Sequence, residues 1–248
     1  MIQRERPYAL SIAGLDPSAG AGLLADVKTF EACRVYGLGV CTALTVQHDS
    51  RFDSVDWLAL PQIQAQCALL LERYPVSVIK IGLIESYEVL DRLVSWLAAN
   101  WPAITLIWDP ILKASAGFAF HDGTPAHSLG ALSLITPNVP ESIQLSGYSD
   151  AREGALMLST HCPVYLKGGH AGEEMFITDR LYQKGTETAH YTSPFLPSGE
   201  KHGSGCVVSS AIAAGLALGR SLPEACAFAK EYTGRFLGST PTLLGFHT

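Results

Sequence analysis

Charged residues are scarce in this 248-residue sequence: they make up 16% of the chain, against about 25% in an average soluble domain. Only 17 residues are Lys or Arg, and the net charge is −6 at pH 7. Because non-specific binding to nucleic acid needs a basic surface, we expect no nucleic-acid partner. If such an acidic chain handles phosphates, local positive charge must come from a few lysines, helix N-termini and a metal ion.

The sequence also lacks long apolar runs and ordered cysteine spacings. No run approaches the ~20 apolar residues of a membrane span, and the apolar stretch 8–13 is too short for the core of a signal peptide. The six cysteines show no C-x-x-C or other metal-ligand spacing, and most lie in apolar segments, as buried free thiols do. We therefore expect no membrane partner and a cytoplasmic protein with reduced thiols.

Strand-like and helix-like segments alternate along the chain, and 48% of the residues are hydrophobic. No linker, repeat or shift in composition divides the sequence, so we expect one domain over residues 1–248. This order is typical of an α/β fold, in which a mostly parallel sheet carries helices on both faces. The predicted strands are 8–13, 38–46, 76–82, 104–108, 132–135 and 164–166, with an antiparallel pair at 175–182 and 187–191.

Polar clusters follow several of these strands. They are the glycine-rich loop 14–22, Gln47 just past the second strand, Asp109, Asn138 with Glu141, and Lys167. The loop is neither a Walker A motif nor a G-x-G-x-x-G fingerprint, because the required spacings are absent. In open α/β sheets, ligands bind outside the carboxyl ends of the strands. The sequence therefore predicts that these clusters meet in one crevice.

A glycine turn at Gly203-Ser204-Gly205-Cys206 precedes an Ala- and Leu-rich segment that predicts a helix ending near Gly219. Free N–H groups at a helix start, with the positive end of the helix dipole behind them, suit an anion such as phosphate. The helix start and nearby Lys167 favour ionisation of the Cys206 thiol, whereas bound ATP phosphates oppose it. On the stretch 202–206 alone, the simpler explanation is preferred: a glycine turn before a buried helix, with Cys206 as a small apolar residue.

Transfer of a phosphoryl group from ATP accounts for the clusters together. Asp109 and Glu141 can hold Mg²⁺ through water, Lys167 can offset phosphate charge, and Cys206 can accept a proton from the substrate hydroxyl. Structural explanations remain for each cluster. In particular, Asn138 and Glu141 have the spacing of a helix N-cap and its capping box.

The motifs of this chain resemble those of the hydroxymethylpyrimidine/phosphomethylpyrimidine kinases of thiamine biosynthesis, within the ribokinase-like superfamily. The matching segments are AGLDPSAGAGLLADVKTF (13–30), CTALTVQ (41–47), KIGLI (80–84), LITPNVPE (134–141), LKGGH (166–170) and HGSGC (202–206). Cysteine after the glycine turn is discriminating, because sugar kinases of the superfamily usually have aspartate there. The resemblance implies a ribokinase-like three-layer α/β/α sandwich with a mostly parallel central sheet, usually as a homodimer.

The resemblance also implies an activity and roles for residues. The expected reaction is ATP-dependent phosphorylation of 4-amino-5-hydroxymethyl-2-methylpyrimidine and of its monophosphate, with ATP as co-substrate and Mg²⁺ as metal. Two alternatives stay open: a pyridoxal kinase of the same fold, and a non-catalytic pyrimidine-binding protein. The implied sites are catalytic Cys206 and Lys167; pyrimidine contacts at Gly14, Asp26, Gln47 and Leu83; phosphate contacts at Asn138, Lys167, Gly203, Ser204 and Gly205; and metal ligands Asp109 and Glu141.

Overall fold

A single β-sheet runs through the middle of the molecule. The computed structural model describes residues 6–112, 129–169, 175–197 and 199–248. Within those ranges the strands are β1 Tyr8–Leu15, β2 Tyr36–His48, β3 Arg51–Trp57, β4 Val76–Ile81, β5 Thr105–Trp108, β6 Leu134–Ile135, β7 Val164–Leu166, β8 Phe176–Gln183 and β9 Thr186–Pro194. Their order across the sheet is β3-β2-β1-β4-β5-β6-β7-β8-β9.

The sheet is parallel in its centre and antiparallel at its edges. Strands β2, β1, β4, β5, β6 and β7 pair in parallel, while β3 pairs antiparallel with β2 at one edge. At the other edge β8 pairs antiparallel with β7, and β9 with β8. The predicted mostly parallel sheet is thus confirmed.

Helices cover both faces of the sheet and give two hydrophobic cores. They are α1 Gly22–Ala32, α2 Leu60–Arg73, α3 Tyr87–Asn100, α4 Val139–Ser146, α5 Ala151–Leu158, α6 Ser204–Ala217 and α7 Leu222–Leu237. Successive strand residues point to opposite faces. Leu10 and Ile12 of β1 therefore pack with the core of α2 to α5, and Ala9 packs with the core of α1, α6 and α7. The predicted three-layer α/β/α sandwich is confirmed.

The second strand is longer than predicted. Gln47, expected just past the end of the strand, lies inside β2. Residues 43–48 of β2, here called the β2 arm, extend the strand by pairing antiparallel with β3. The sequence of β3, RFDSVDW, has two polar residues in succession, Asp53 and Ser54, which break the period of two, and none of its residues is buried. The strand was missed for that reason. No helix within the described ranges is long and apolar enough to cross a bilayer.

Candidate active site

Five central strands each deliver one polar side chain to the same end and face of the sheet. The period of two along a strand sets this arrangement: each polar residue stands two positions after an apolar residue that faces the core of α1, α6 and α7. The pairs are Ala9 and Ser11, Val78 and Lys80, Ile107 and Asp109, Leu134 and Thr136, and Tyr165 and Lys167. The prediction that Asp109 and Lys167 lie together at the carboxyl ends of the strands is therefore confirmed.

Asp109 is the most heavily bonded of these groups. Its Oδ1 accepts hydrogen bonds from Lys167 Nζ at 2.9 Å and from Thr136 Oγ1 at 3.1 Å. Its Oδ2 accepts from Ser209 Oγ at 3.1 Å and lies 3.7 Å from Lys80 Nζ. Burial alone would raise the pKa of Asp109, but the two ammonium groups outweigh it and lower the pKa. Asp109 is therefore a buried carboxylate at neutral pH.

Glu141 closes a capping box and also faces Lys167. Asn138 is the N-cap of α4: its Oδ1 accepts from the Glu141 N–H at 2.9 Å, and its own N–H donates to Glu141 Oε2 at 2.7 Å. The same Oε2 lies 3.8 Å from Lys167 Nζ. Burial raises the pKa of Glu141 to about 7; Lys167 opposes this shift and Asp109 adds to it. The capping box predicted from the spacing is real, and it places Glu141 beside the lysine.

The glycine turn leaves the first N–H groups of α6 without a side-chain cap. Gly203 is the N-cap residue with φ +74° and makes no side-chain cap bond, while the Ser204 N–H donates to the Lys201 carbonyl at 3.3 Å. A Cβ on Gly203 would lie 2.1 Å from the Gly20 carbonyl oxygen, and a Cβ on Gly205 would lie 3.3 Å from Lys167 Nζ. Glycine is thus needed at Gly203, and the tight contact at Gly205 shows that the Lys167 ammonium lies against the helix start. An uncapped helix start beside an ammonium suits an anion, and the phosphate site expected at Gly203, Ser204 and Gly205 stays a prediction.

Cys206 is buried at this helix start. Burial raises the pKa of its thiol to about 12, although the Lys80 ammonium and a hydrogen bond from the Gly22 N–H act to lower it. The sequence predicts that the helix start and Lys167 favour ionisation of this thiol, but burial instead raises its pKa. The prediction failed because the sequence does not reveal how deeply the sulfur is buried.

Asp16 and His202 join the opening loop to the start of α6, and neither residue has a role that the sequence predicts. His202 Nε2 lies 2.8 Å from Asp16 Oδ2, and both side chains are buried. Burial alone would raise the pKa of Asp16, but His202, Ser18 and the Ala21 N–H outweigh it and lower the pKa. Because an ionised carboxylate only accepts hydrogen bonds, Nε2 carries the proton. His202 Nδ1 is buried without a partner among the described residues.

Of the four residues assigned to the pyrimidine, only Gly14 and Leu83 are in contact with each other. Leu83 packs on Gly14, where an added Cβ would lie 2.9 Å from Leu83 Cδ2. Gln47 is half-buried near the end of the β2 arm. Asp26 is fully buried, and its carboxylate accepts from Ser11, Ser210 and Lys80. The roles of Gly14, Gln47 and Leu83 stay predictions, while Asp26 has no surface open to a ligand. His170 lies outside the described residues.

The chain is similar over most of its length to one family of kinases. The model of the family described as phosphomethylpyrimidine kinase matches residues 16–246. The Streptomyces coelicolor hydroxymethylpyrimidine/phosphomethylpyrimidine kinase is 32% identical over 95% of this chain and 90% of its own length. A Schizosaccharomyces pombe protein bearing the same kinase name is 31% identical over 97% of this chain, which spans only 49% of that longer protein.

Solved structures of two kinds of kinase share the fold. A Staphylococcus aureus pyridoxal kinase in complex with AMP-PCP and pyridoxal has a TM-score of 0.82 and 27% identity over 95% of this chain and 89% of that one. The phosphomethylpyrimidine kinase of Clostridium difficile has a TM-score of 0.76 and 29% identity over 93% of this chain and 99% of that one. A further structure of the Staphylococcus aureus pyridoxal kinase contains ADP.

Proposed function

Because the chain belongs to the phosphomethylpyrimidine kinase family, we propose that it transfers the γ-phosphoryl group of ATP to 4-amino-5-hydroxymethyl-2-methylpyrimidine and then to its monophosphate. The observation that carries this proposal is the Lys167 ammonium beside the uncapped start of α6. Phosphoryl transfer depends mainly on positioning and on neutralising charge at the moving group. A fixed cation and converging amide N–H groups at one point supply both.

The phosphates of ATP would bind between Lys167 and the helix start. Burial alone would lower the pKa of Lys167, but Asp109 and Glu141 outweigh it and raise the pKa, so that the side chain stays charged. Asp109 holds Nζ at 2.9 Å, which fixes the ammonium next to Gly205 before any ligand arrives. Preorganised charge of this kind costs no rearrangement during the reaction. Asn138, whose backbone is bridged to Lys167, would line the same phosphate site.

The carboxylates fit a magnesium ion unequally. Asp109 has both oxygens occupied by protein donors, so it would reach the ion through water. Glu141 accepts fewer hydrogen bonds from the protein, and its raised pKa reflects a buried charge that Lys167 compensates only in part. Glu141 is therefore the better ligand, and Mg²⁺ held there would supply positive charge that neutralises the ATP phosphates.

On the substrate side, Gly14 and Leu83 would pack on the pyrimidine ring, and the carboxamide of Gln47 would pair with the aminopyrimidine edge, since an amide offers both a donor and an acceptor. Cys206 would accept the hydroxymethyl proton as the oxygen bonds to the γ-phosphorus and the bond to ADP breaks. A thiol with a pKa of about 12 is almost entirely protonated at neutral pH, and in that form it cannot accept a proton. Nearby charge must therefore favour the thiolate if Cys206 is to act.

A pyridoxal kinase is the second candidate function. The similarity in fold to the pyridoxal-bound Staphylococcus aureus kinase favours it. One coupled assay for ADP release, with the pyrimidine, its monophosphate and pyridoxal in parallel, decides between the candidates. We expect the highest kcat/KM for the hydroxymethylpyrimidine and measurable turnover of its monophosphate. A higher kcat/KM for pyridoxal would establish the second candidate, and no ADP release with any of the three would leave a non-catalytic binding protein.

We also propose that the protein is a cytoplasmic homodimer that forms through the β2 arm. Leu44 and Val46 point to the same side of β2 and are 50% and 55% exposed, which suits a covered surface better than open solvent. ATP as co-substrate and six free cysteines support a reducing compartment. Light scattering should give twice the mass of the chain, and Leu44→Asp with Val46→Asp should halve it. A monomeric wild-type protein would contradict the dimer.

A further inference from the structure

A buried ion pair between Asp26 and Lys80 lies next to the proposed site but has no part in the reaction described so far. Neither side chain has any exposed surface, and Lys80 Nζ lies 3.0 and 2.9 Å from the two carboxylate oxygens. Well-packed apolar residues of similar volume usually stabilise a core at least as well as such a pair. Stability alone is therefore a weak reason for its presence.

The charges of the pair are fixed by their surroundings. Burial alone would lower the pKa of Lys80, but the Asp26 carboxylate and the charge of Asp109, 3.7 Å away, outweigh it and raise the pKa. Lys80 is therefore a permanent cation. Burial raises the pKa of Asp26, and Lys80, with the hydroxyl donors Ser11 and Ser210, opposes that rise. We expect Asp26 to stay ionised, since an ammonium and two hydroxyls donate to it.

One face of α6 is held on this network. Cys206, Ser209 and Ser210 stand at positions i, i+3 and i+4, which share one side of a helix. Ser210 Oγ donates to Asp26 Oδ1 at 2.6 Å, and Ser209 Oγ donates to Asp109 Oδ2 at 3.1 Å. Lys80 Nζ contacts both of these carboxylates. The ammonium thus lies beneath the helix face that carries the Cys206 sulfur.

We infer that Lys80 is a positioning residue of the active site, which together with Asp26 fixes the Cys206-bearing face of α6 and holds positive charge beneath the sulfur. The role of this charge rests on the proposed function, because a thiolate that accepts the substrate proton needs a compensating cation. Asp26 becomes the anchor of that cation instead of a contact to the pyrimidine. Lys167 is the second cation of the network, bound to the other oxygen of Asp109.

Three variants separate the role of charge from a role in packing: Asp26→Asn, Lys80→Met, and the two combined. The readout is the rate at which iodoacetamide alkylates Cys206 at pH 8 without substrates, measured by peptide mass spectrometry. Cys67, fully buried away from this network, is the matched control, and its alkylation reports general loosening of the fold. Rates are compared as the ratio of Cys206 to Cys67.

Removing the carboxylate should speed alkylation of Cys206, and removing the ammonium should slow it, each by at least about tenfold, the change in thiolate population for one pKa unit. The double variant should return close to the wild-type ratio. In the kinase assay, Lys80→Met should lower kcat while the KM for ATP changes little. A pair that acts only in packing would instead change the ratio in the same direction in both single variants, or in neither, and would overturn the inference.

If Lys80→Met does not fold, Asp26→Asn and the double variant still isolate the ammonium. The double variant must then react more slowly at Cys206 than Asp26→Asn, and equal ratios would overturn the inference. Because alkylation needs no substrate, this result does not depend on which ring the enzyme accepts. If the alkylation ratio shifts in opposite directions in the two single variants but the wild-type protein shows no kinase turnover, the proposed function is wrong. If the wild-type protein turns over normally but the ratio shifts equally in both single variants, the role of Lys80 is wrong.

Discussion

Replacing Glu141 with glutamine should make the protein more stable and less active. The amide keeps the capping box, because its oxygen can still accept from the Asn138 N–H, but it removes a buried negative charge. Burial raises the pKa of Glu141 from 4.5 to about 7, and each unit corresponds to about 1.4 kcal/mol. The shift of about 2.5 units therefore corresponds to roughly 3 kcal/mol between the protonated and ionised states.

The sign follows from proton linkage. A raised pKa means that the folded protein holds this proton more tightly than the unfolded chain does. The stabilisation is complete below pH 4.5 and is lost as the pH rises to about 7. Urea unfolding of both proteins at pH 5 and pH 8, in EDTA and followed by tryptophan fluorescence, measures it. Relative to wild type, Glu141→Gln should gain roughly 2 to 3 kcal/mol between the two pH values. Parallel curves would refute the argument.

The activity of the same variant tests the metal site. Glu141→Gln should lower turnover and weaken the dependence on magnesium concentration, while pyrimidine affinity measured by calorimetry stays close to wild type. Glu141→Ala is the control: it should lose the same activity and be about 1 kcal/mol less stable than Glu141→Gln, because the alanine also breaks the cap. If both variants keep the wild-type turnover and magnesium response, Glu141 serves only as a helix cap.

Three further changes address the other assigned residues. Cys206→Ser should lower kcat by about 10² to 10⁴-fold with ATP affinity retained; wild-type turnover across the pH range would mean that the proton leaves by water or phosphate. Gln47→Leu should reduce kcat/KM for the pyrimidine more than for pyridoxal, and equal losses would show that Gln47 does not read the ring. His202→Ala should lower kcat at least about tenfold. His202→Gln should recover much of the lost rate, because a glutamine amide can still donate to Asp16. Equal rates in the two variants would exclude the contact with Asp16 as the cause.

The layers of the fold and the location of the site could be predicted from the sequence. The alternation of strand-like and helix-like segments predicts the parallel sheet. The positions of Asp109 and Lys167 after their strands predict that they are neighbours, and Lys167 Nζ lies 2.9 Å from Asp109 Oδ1. The motif resemblance gave the family. Local chemistry was enough at Asn138 and Glu141 too, because a capping box depends only on residues three positions apart.

The remaining features depend on tertiary burial, which local pattern does not contain. Asp16 and His202 are separated by 186 positions, so nothing near either one indicates the other. The same period of two that placed Asp109 also selects Lys80, and that signal was available in the sequence. The partner of Lys80 could not be predicted in this way. From the sequence, Asp26 is a polar position on an amphipathic helix, and only the packing of α6 over it makes it buried. The pKa of Cys206 was missed for the same reason: enclosure is a property of the packed structure.

The helix caps show how stability is distributed around the site. The helices α3, α4 and α5 each have a side-chain cap, from Ser86, Asn138 and Asp150. The helices α1 and α6, whose N-termini meet at Gly22 and Cys206, have none. The helices α2 and α7 also lack a bond from the N-cap side chain, and there the glutamine or glutamate at the third helical position bonds back to the N-cap. Omitting a cap costs a helix about 1 kcal/mol, and at α6 the omission leaves the helix start open to a ligand. A capping side chain on Gly203 would occupy that helix start and would also clash with the Gly20 carbonyl. The two glycine-rich segments are therefore constrained together, since each fills the space that a side chain on the other would need.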